Sequence, residues 1–130
     1  LRYLPQEADA PAGLTGRDIL DLHAAIYGAP LDPAALLLAD LGGALDHLAT
    51  TYSVGMRRRL LLAALLCGAP ALWVLDEPFA GLDRPSRARV VDHLRRAAAR
   101  RAGVLLAAHD PDEPELTELD ARRVVLTAPS

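Results

Sequence analysis

The chain contains no lysine; all 14 of its basic residues are arginine. Chemistry that needs a lysine therefore cannot run on this chain alone. It has one cysteine, Cys67, which excludes an intrachain disulfide and suits a reduced compartment. There is no basic segment leading into an apolar core and a cleavage site, so no secretory leader is read here. Positive charge is not in surplus: the net charge is −3, which argues against a basic nucleic-acid surface. Internal repeats and low-complexity linkers are also missing. What remains is 130 residues, 52% hydrophobic and 24% charged, enough for one globular domain with a real core. Disordered, collagen-like and disulfide-scaffold classes are excluded. The chain begins with Leu1 rather than Met, and the expectation is a piece of a longer protein.

The longest uncharged run, Leu60 to Leu75, invites a membrane reading. It falls short of the ~20 residues a spanning helix needs, and Gly68 and Pro70 interrupt it. A buried helix followed by a buried strand is the better expectation.

The pattern along the chain begins with a short strand at Leu1–Leu4, ended by Pro5. Thr15 and Asp18 form a weak capping-box pattern before a helix expected over about 16 to 27, with Gly28 and Pro30 as its stop. Asp32-Pro33 reads as the cap and first residue of a second helix, broken near Gly42-Gly43, with a short turn at Leu45–Leu48. Ser53 caps a third helix that Gly68 and Pro70 end. Ala71–Leu75 is a strand of continuous apolar residues, of the kind covered on both faces in a parallel sheet. Pro85 and Ser86 open a charged helix reaching about Arg101. Gly103–Ala108 is a second buried strand, 112 to 119 holds a short acidic helix, and Arg123–Thr127 reads as a last strand. The alternation of strand and helix argues an α/β fold with a parallel sheet, carrying a helical insertion over about 9 to 68.

The sharpest chemical feature is Leu72-Trp73-Val74-Leu75-Asp76-Glu77. An apolar strand delivers two carboxylates at its C-terminal edge, where α/β folds bind ligands. Asp76 is suited to a hydrated magnesium ion and Glu77 to polarising an attacking water, although a solvated acidic turn has the same pattern. Upstream, Tyr52-Ser53-Val54-Gly55-Met56-Arg57 puts a serine cap and a glycine at a helix start. Free N–H groups and the positive helix end make an anion site suited to a triphosphate tail, and equally an ordinary capped helix. Gly81-Leu82-Asp83 follows Glu77. His109 follows the next strand, where a histidine can donate a hydrogen bond to a phosphate or simply occupy a loop. Arg57, Arg58 and Arg59 are read as a solvated helix face rather than a basic patch.

Taken together, these residues resemble the back two-thirds of an ATP-binding cassette ATPase, the motor subunit of ABC transporters. Leu4-Pro5-Gln6 resembles the Q-loop and Ser53-Val54-Gly55-Met56-Arg57 the signature motif. Leu72–Glu77 is similar to Walker B with its catalytic glutamate, Ala80-Gly81-Leu82-Asp83 to the D-loop, and His109 to the switch histidine. The resemblance implies a partial P-loop NTPase (RecA-like) parallel sheet with an inserted helical subdomain. Residues 1–8 would carry the Q-loop strand, 9–68 the helical subdomain, and 69–130 the rest of the ATPase core.

It also implies roles. Two cassettes would sandwich ATP and Mg2+, and the signature residues Ser53, Val54, Gly55 and Met56 would contact nucleotide held by the second ATPase subunit. Asp83 would be a further nucleotide contact. Asp76 would bind magnesium through water, Glu77 would orient the hydrolytic water, and His109 would hold the γ-phosphate. Gln6 would sense nucleotide, contribute to the metal site and link the core to the helical subdomain. That subdomain would face a membrane-embedded permease, placing the subunit peripherally on the cytoplasmic face of the cell membrane, with no nucleic-acid partner. Val54 and Met56 stand where Gly and Gln are commonest, a variant similar to exporters of the drug, polysaccharide or haem type. Ala80 replaces a frequent Ser.

The phosphate-binding loop G-x-x-x-x-G-K-[ST] is missing, because the chain has no lysine. The chain alone is thus expected neither to hold ATP tightly nor to turn it over. A fragment of an export ATPase is the leading expectation. The alternative is a non-catalytic cassette partner that supplies the signature helix in trans, and retention of Glu77 and His109 argues against it. An SMC-type DNA-repair ATPase would place a long coiled coil between Gln6 and Ser53, where Pro and Gly breaks leave no sustained heptads. A translation-associated cassette protein would need a second cassette. A sheet lacking its first strands exposes an apolar edge, so the isolated chain is expected to aggregate or dimerise.

Overall fold

The computed structural model describes residues 2–4, 12–29, 31, 33–67, 70–108 and 114–119. Gln6, Asp32, His109 and the strand expected at Arg123–Thr127 lie outside the described residues.

Three parallel strands form the described sheet: β1 (Arg2–Leu4), β2 (Leu72–Asp76) and β3 (Gly103–Ala107), in the order β1-β2-β3. Tyr3 pairs with Val74, and Val74 with Leu105, so β2 is the middle strand. All three strands point the same way, so their C-terminal ends share one edge, which carries Asp76. Parallel strands need long crossovers. From β1 to β2 the crossover contains α1 (Gly16–Tyr27), α2 (Pro33–Ala39), two single 3-10 turns (Gly42–Asp46 and Ala49–Thr51) and α3 (Val54–Leu66). From β2 to β3 it is α4 (Arg84–Ala99). A short helix α5 (Pro114–Glu118) follows β3.

Local chemistry accounts for the boundaries. Thr15 and Asp18 make a full capping box: the Thr15 hydroxyl accepts from the Asp18 amide at 3.1 Å, and the Asp18 carboxylate accepts from the Thr15 amide at 3.0 Å. Gly28, at φ +62°, ends α1 in a left-handed conformation that glycine adopts without a Cβ penalty. Ser53 caps α3 by accepting from the Met56 amide at 3.1 Å. Helix α4 begins one residue before Pro85, because Asp83 serves as its cap and accepts from the Ser86 amide at 2.9 Å. Proline then occupies an early helical position where its missing N–H costs nothing.

The core lies between the sheet and the helices. From Leu60 to Leu66 every residue of α3 is buried, which is how a helix inside a fold, apolar all round, comes to mimic a membrane span. No described helix is long and apolar enough to cross a membrane. Trp73 and Leu75, both fully buried, pack one face of β2, and the Trp73 indole N–H donates to the Leu65 carbonyl at 3.3 Å. His93 of α4 lies edge-on to Trp73, its Nε2 2.7 Å from the Leu66 carbonyl oxygen.

The sheet departs from the expectation of cover on both faces. Leu72 and Leu105 are exposed, Leu105 by 61%, while Trp73 and Leu75 on the opposite face are fully buried.

Candidate functional site

The site is built where the C-terminal edge of β2 meets the start of α3. Asp76 ends the strand and Glu77 follows it, both half-buried. Glu77 sits at φ +48°, a left-handed conformation unfavourable for a residue with a Cβ. Its main chain is tied on both sides. The Glu77 N–H donates to the Ala107 carbonyl of β3 at 2.8 Å, and its carbonyl accepts from the Ala80 N–H at 3.1 Å. Pro78 and Phe79 are buried beneath the turn. Gly81, at φ +74°, reverses the chain, and Asp83 then caps α4.

The start of α3 lies against this turn. A Cβ at Gly55 would stand 3.3 Å from the Gly81 carbonyl oxygen, so glycine there permits close backbone approach. Ser53 is exposed and Val54 is 68% exposed, so the end of the helix is open to solvent. No acidic residue occupies the first turn. The structure thus brings Ser53, Val54, Gly55 and Met56 beside the turn that carries Asp76 and Glu77. Gln6 and His109 fall outside the described residues. Asp83 is exposed and occupied as a helix cap: the Ser86 hydroxyl and then the Ser86 amide hold its carboxylate below the usual range, aided by Arg59 and Arg89.

Arg58 corrects the sequence reading. It is 7% exposed rather than solvated, and it donates to the carbonyls of Asp76 at 3.0 Å and Glu77 at 2.6 Å. Burial pulls its pKa below the ordinary arginine value, and the Asp76 and Glu77 carboxylates oppose that. Arg59 also turns inward, donating to the Ala39 carbonyl at the end of α2 at 3.0 Å. A helical-spacing signal was present in the sequence. Arg58 lies three, four and seven positions before Leu61, Leu62 and Leu65, all buried, and so sits on the inward stripe.

Chemically, the edge offers two adjacent hard-oxygen donors next to a helix start. No group of three or more His, Cys, Asp or Glu side chains converges among the described residues. Asp76 still fits magnesium, which commonly takes one or two carboxylates and completes its shell with water and phosphate oxygens.

Comparison with known proteins decides the family. The ABC transporter family model matches residues 3–80, more than half of the chain. The chain belongs to the ABC transporter family. It is 40% identical over 116 residues to the daunorubicin/doxorubicin resistance ATP-binding protein DrrA of Streptomyces peucetius, covering 85% of this chain and 35% of that protein. It is 38% identical over 104 residues to the Nod factor export ATP-binding protein I of Neorhizobium galegae, covering 76% of this chain and 30% of that one. A solved ATP-binding subunit of an ABC transporter superposes with a TM-score of 0.77 at 27% identity, covering 83% of this chain and 48% of that one. The fold is therefore the parallel α/β fold of P-loop NTPase cassettes. The chain spans about half or less of the length of these ABC proteins.

Proposed function

We propose that this chain is the signature- and Walker-B-bearing part of an ATP-hydrolysing ABC transporter subunit that drives export. The observation that carries the reading is the packing of the Ser53-capped helix start against the Asp76–Glu77 turn. It unites the anion-binding end and the paired carboxylates in one chain. Residues 9–68 form the subdomain that meets a membrane-embedded permease. Residues 1–8 and 69–130 belong to the ATPase core, which works at the cytoplasmic face of the membrane.

In this reading Glu77 takes up a proton from the attacking water as general base. Asp76 holds magnesium through water, with Gln6 contributing; when bound, the ion supplies charge neutralisation on the phosphates. Ser53, Val54, Gly55 and Met56 engage the γ-phosphate in the partner cassette's site, where the unneutralised helix end favours negative charge. Asp83 combines its cap on α4 with the nucleotide contact of the D-loop, and His109 holds the γ-phosphate. The absence of lysine means that the cradle for the β- and γ-phosphates must come from elsewhere, so the 130-residue chain alone does not turn over ATP. Export as the direction draws support from the Tyr52-Ser53-Val54-Gly55-Met56 variant and from the two relatives, one named for export and one for drug resistance.

The test is Glu77→Gln in the full-length protein that carries these residues. Hydrolysis falls about 10²- to 10⁴-fold, the usual contribution of a general base, while ATP binding persists. Wild-type turnover in that variant would remove Glu77 from the role.

A further inference from the structure

We propose that Arg58 is the positioning residue of Glu77 and ties the start of α3 to the base within one chain. The proposal rests on the reading of Glu77 as general base. Its geometric part stands on the hydrogen bonds alone. One guanidinium nitrogen donates to two successive carbonyls, Asp76 at 3.0 Å and Glu77 at 2.6 Å. Those carbonyls flank the one residue of the turn before Gly81 that sits at positive φ. Together with the bond from the Glu77 N–H to Ala107, the clamp fixes the peptide planes on both sides of Glu77. A strained backbone persists only where its surroundings over-determine it, and here they do.

Stability alone does not account for an arginine at this place. A buried guanidinium is costly to desolvate, and Arg58 meets that cost by donating to the carbonyls of Asp76 and Glu77. What an apolar side chain could not do is hold two carbonyls. Arg58 also lies in the second turn of a helix whose first turn packs on Gly81. A tilt of the α3 start therefore moves the clamp and the turn together. In a sandwich of two cassettes, that start would meet nucleotide in the partner's site while Glu77 serves its own. Arg58 then carries the state of one site to the base of the other.

Two variants test this, R58M and R58K, with two readouts. The first is amide hydrogen exchange on the full-length protein. R58M lowers protection of Glu77 and Ala80 about tenfold or more relative to Val90 and Val91 of α4, with R58K between R58M and wild type. Should R58M not fold, the ratio in R58K decides. Unchanged protection at Ala80, or equal loss in α4, overturns the clamp. The second readout is Mg-ATP hydrolysis by the full-length protein, where R58K lowers kcat about tenfold or more and leaves KM within about threefold. An unchanged kcat, or a raised KM with unchanged kcat, overturns the positioning role. E77Q runs in the same assay. If it turns over at the wild-type rate, the base reading fails, while the exchange ratio still judges the clamp.

Discussion

Helices α1 and α3 both begin on a hydroxyl. Thr15 accepts from the Asp18 amide and Ser53 from the Met56 amide, each at 3.1 Å. Beyond that bond they diverge. At α1 the third helical residue is an acid, and its carboxylate returns to the Thr15 amide at 3.0 Å. At α3 the same position is Met56, and no acid stands in the first turn. The start of α1 leans on Leu48 through a bridge at Thr15, whereas the start of α3 leans on Gly81 beside the two carboxylates. One helix end is neutralised by its own side chain and serves stability. The other has no acid in its first turn and keeps its positive end open, as the proposed contact with a foreign anion requires.

Giving α3 the acid that α1 has should have the largest effect on this contrast. Met56→Glu creates a capping box but sets a negative charge where the γ-phosphate would approach. ATP turnover by the full-length protein should fall about tenfold or more. Stability should move by less than about 1 kcal/mol, because the new cap offsets the lost packing of half-buried Met56. Undiminished turnover would mean that this helix end does not meet phosphate.

Removing the hydroxyls sharpens the comparison. Thr15→Ala and Ser53→Ala should each lower unfolding stability by about 1 kcal/mol in denaturant titrations. Only Ser53→Ala should also reduce turnover. Equal turnover in the two variants would erase the distinction.

Acid should give the smallest effect. The Thr15 amide and then the Thr15 hydroxyl hold the Asp18 carboxyl below its ordinary value. A carboxylate with a depressed folded pKa adds stability above its unfolded value, about 4, and loses it as pH falls through the folded one. Protection of the Asp18 amide should therefore fade below about pH 4, with the start of α4 at Asp83 behaving likewise. The Met56 amide should not follow locally, since a serine hydroxyl does not titrate there.

Much of this was legible in the sequence where a local rule acts alone. The Thr15–Asp18 box, the Ser53 cap, the run from Leu72 to Asp76 and the stop at Gly28 all depend on neighbours in the chain. Asp83 as the cap of α4 depends on neighbours too, since Pro85 and Ser86 follow it within the first helical turn. Arg58 was misread because a run of three arginines resembles a solvated face. Its burial is set by partners 18 and 19 positions away, which helical spacing suggests and cannot name. The open face of β2 and β3 was likewise invisible, since an apolar strand does not disclose whether both of its faces are covered. The packing of Gly55 on Gly81, which joins the helix start to the carboxylates, emerges only in three dimensions.

In the proposed function this chain holds the base and the anion-binding helix end but not the phosphate cradle. The most direct measurement is Mg-ATP hydrolysis by the 130-residue chain, beside the full-length protein in one assay. The full-length protein should turn over ATP and the chain should not. Hydrolysis by the lysine-free chain, lost on Glu77→Gln, would contradict that reading.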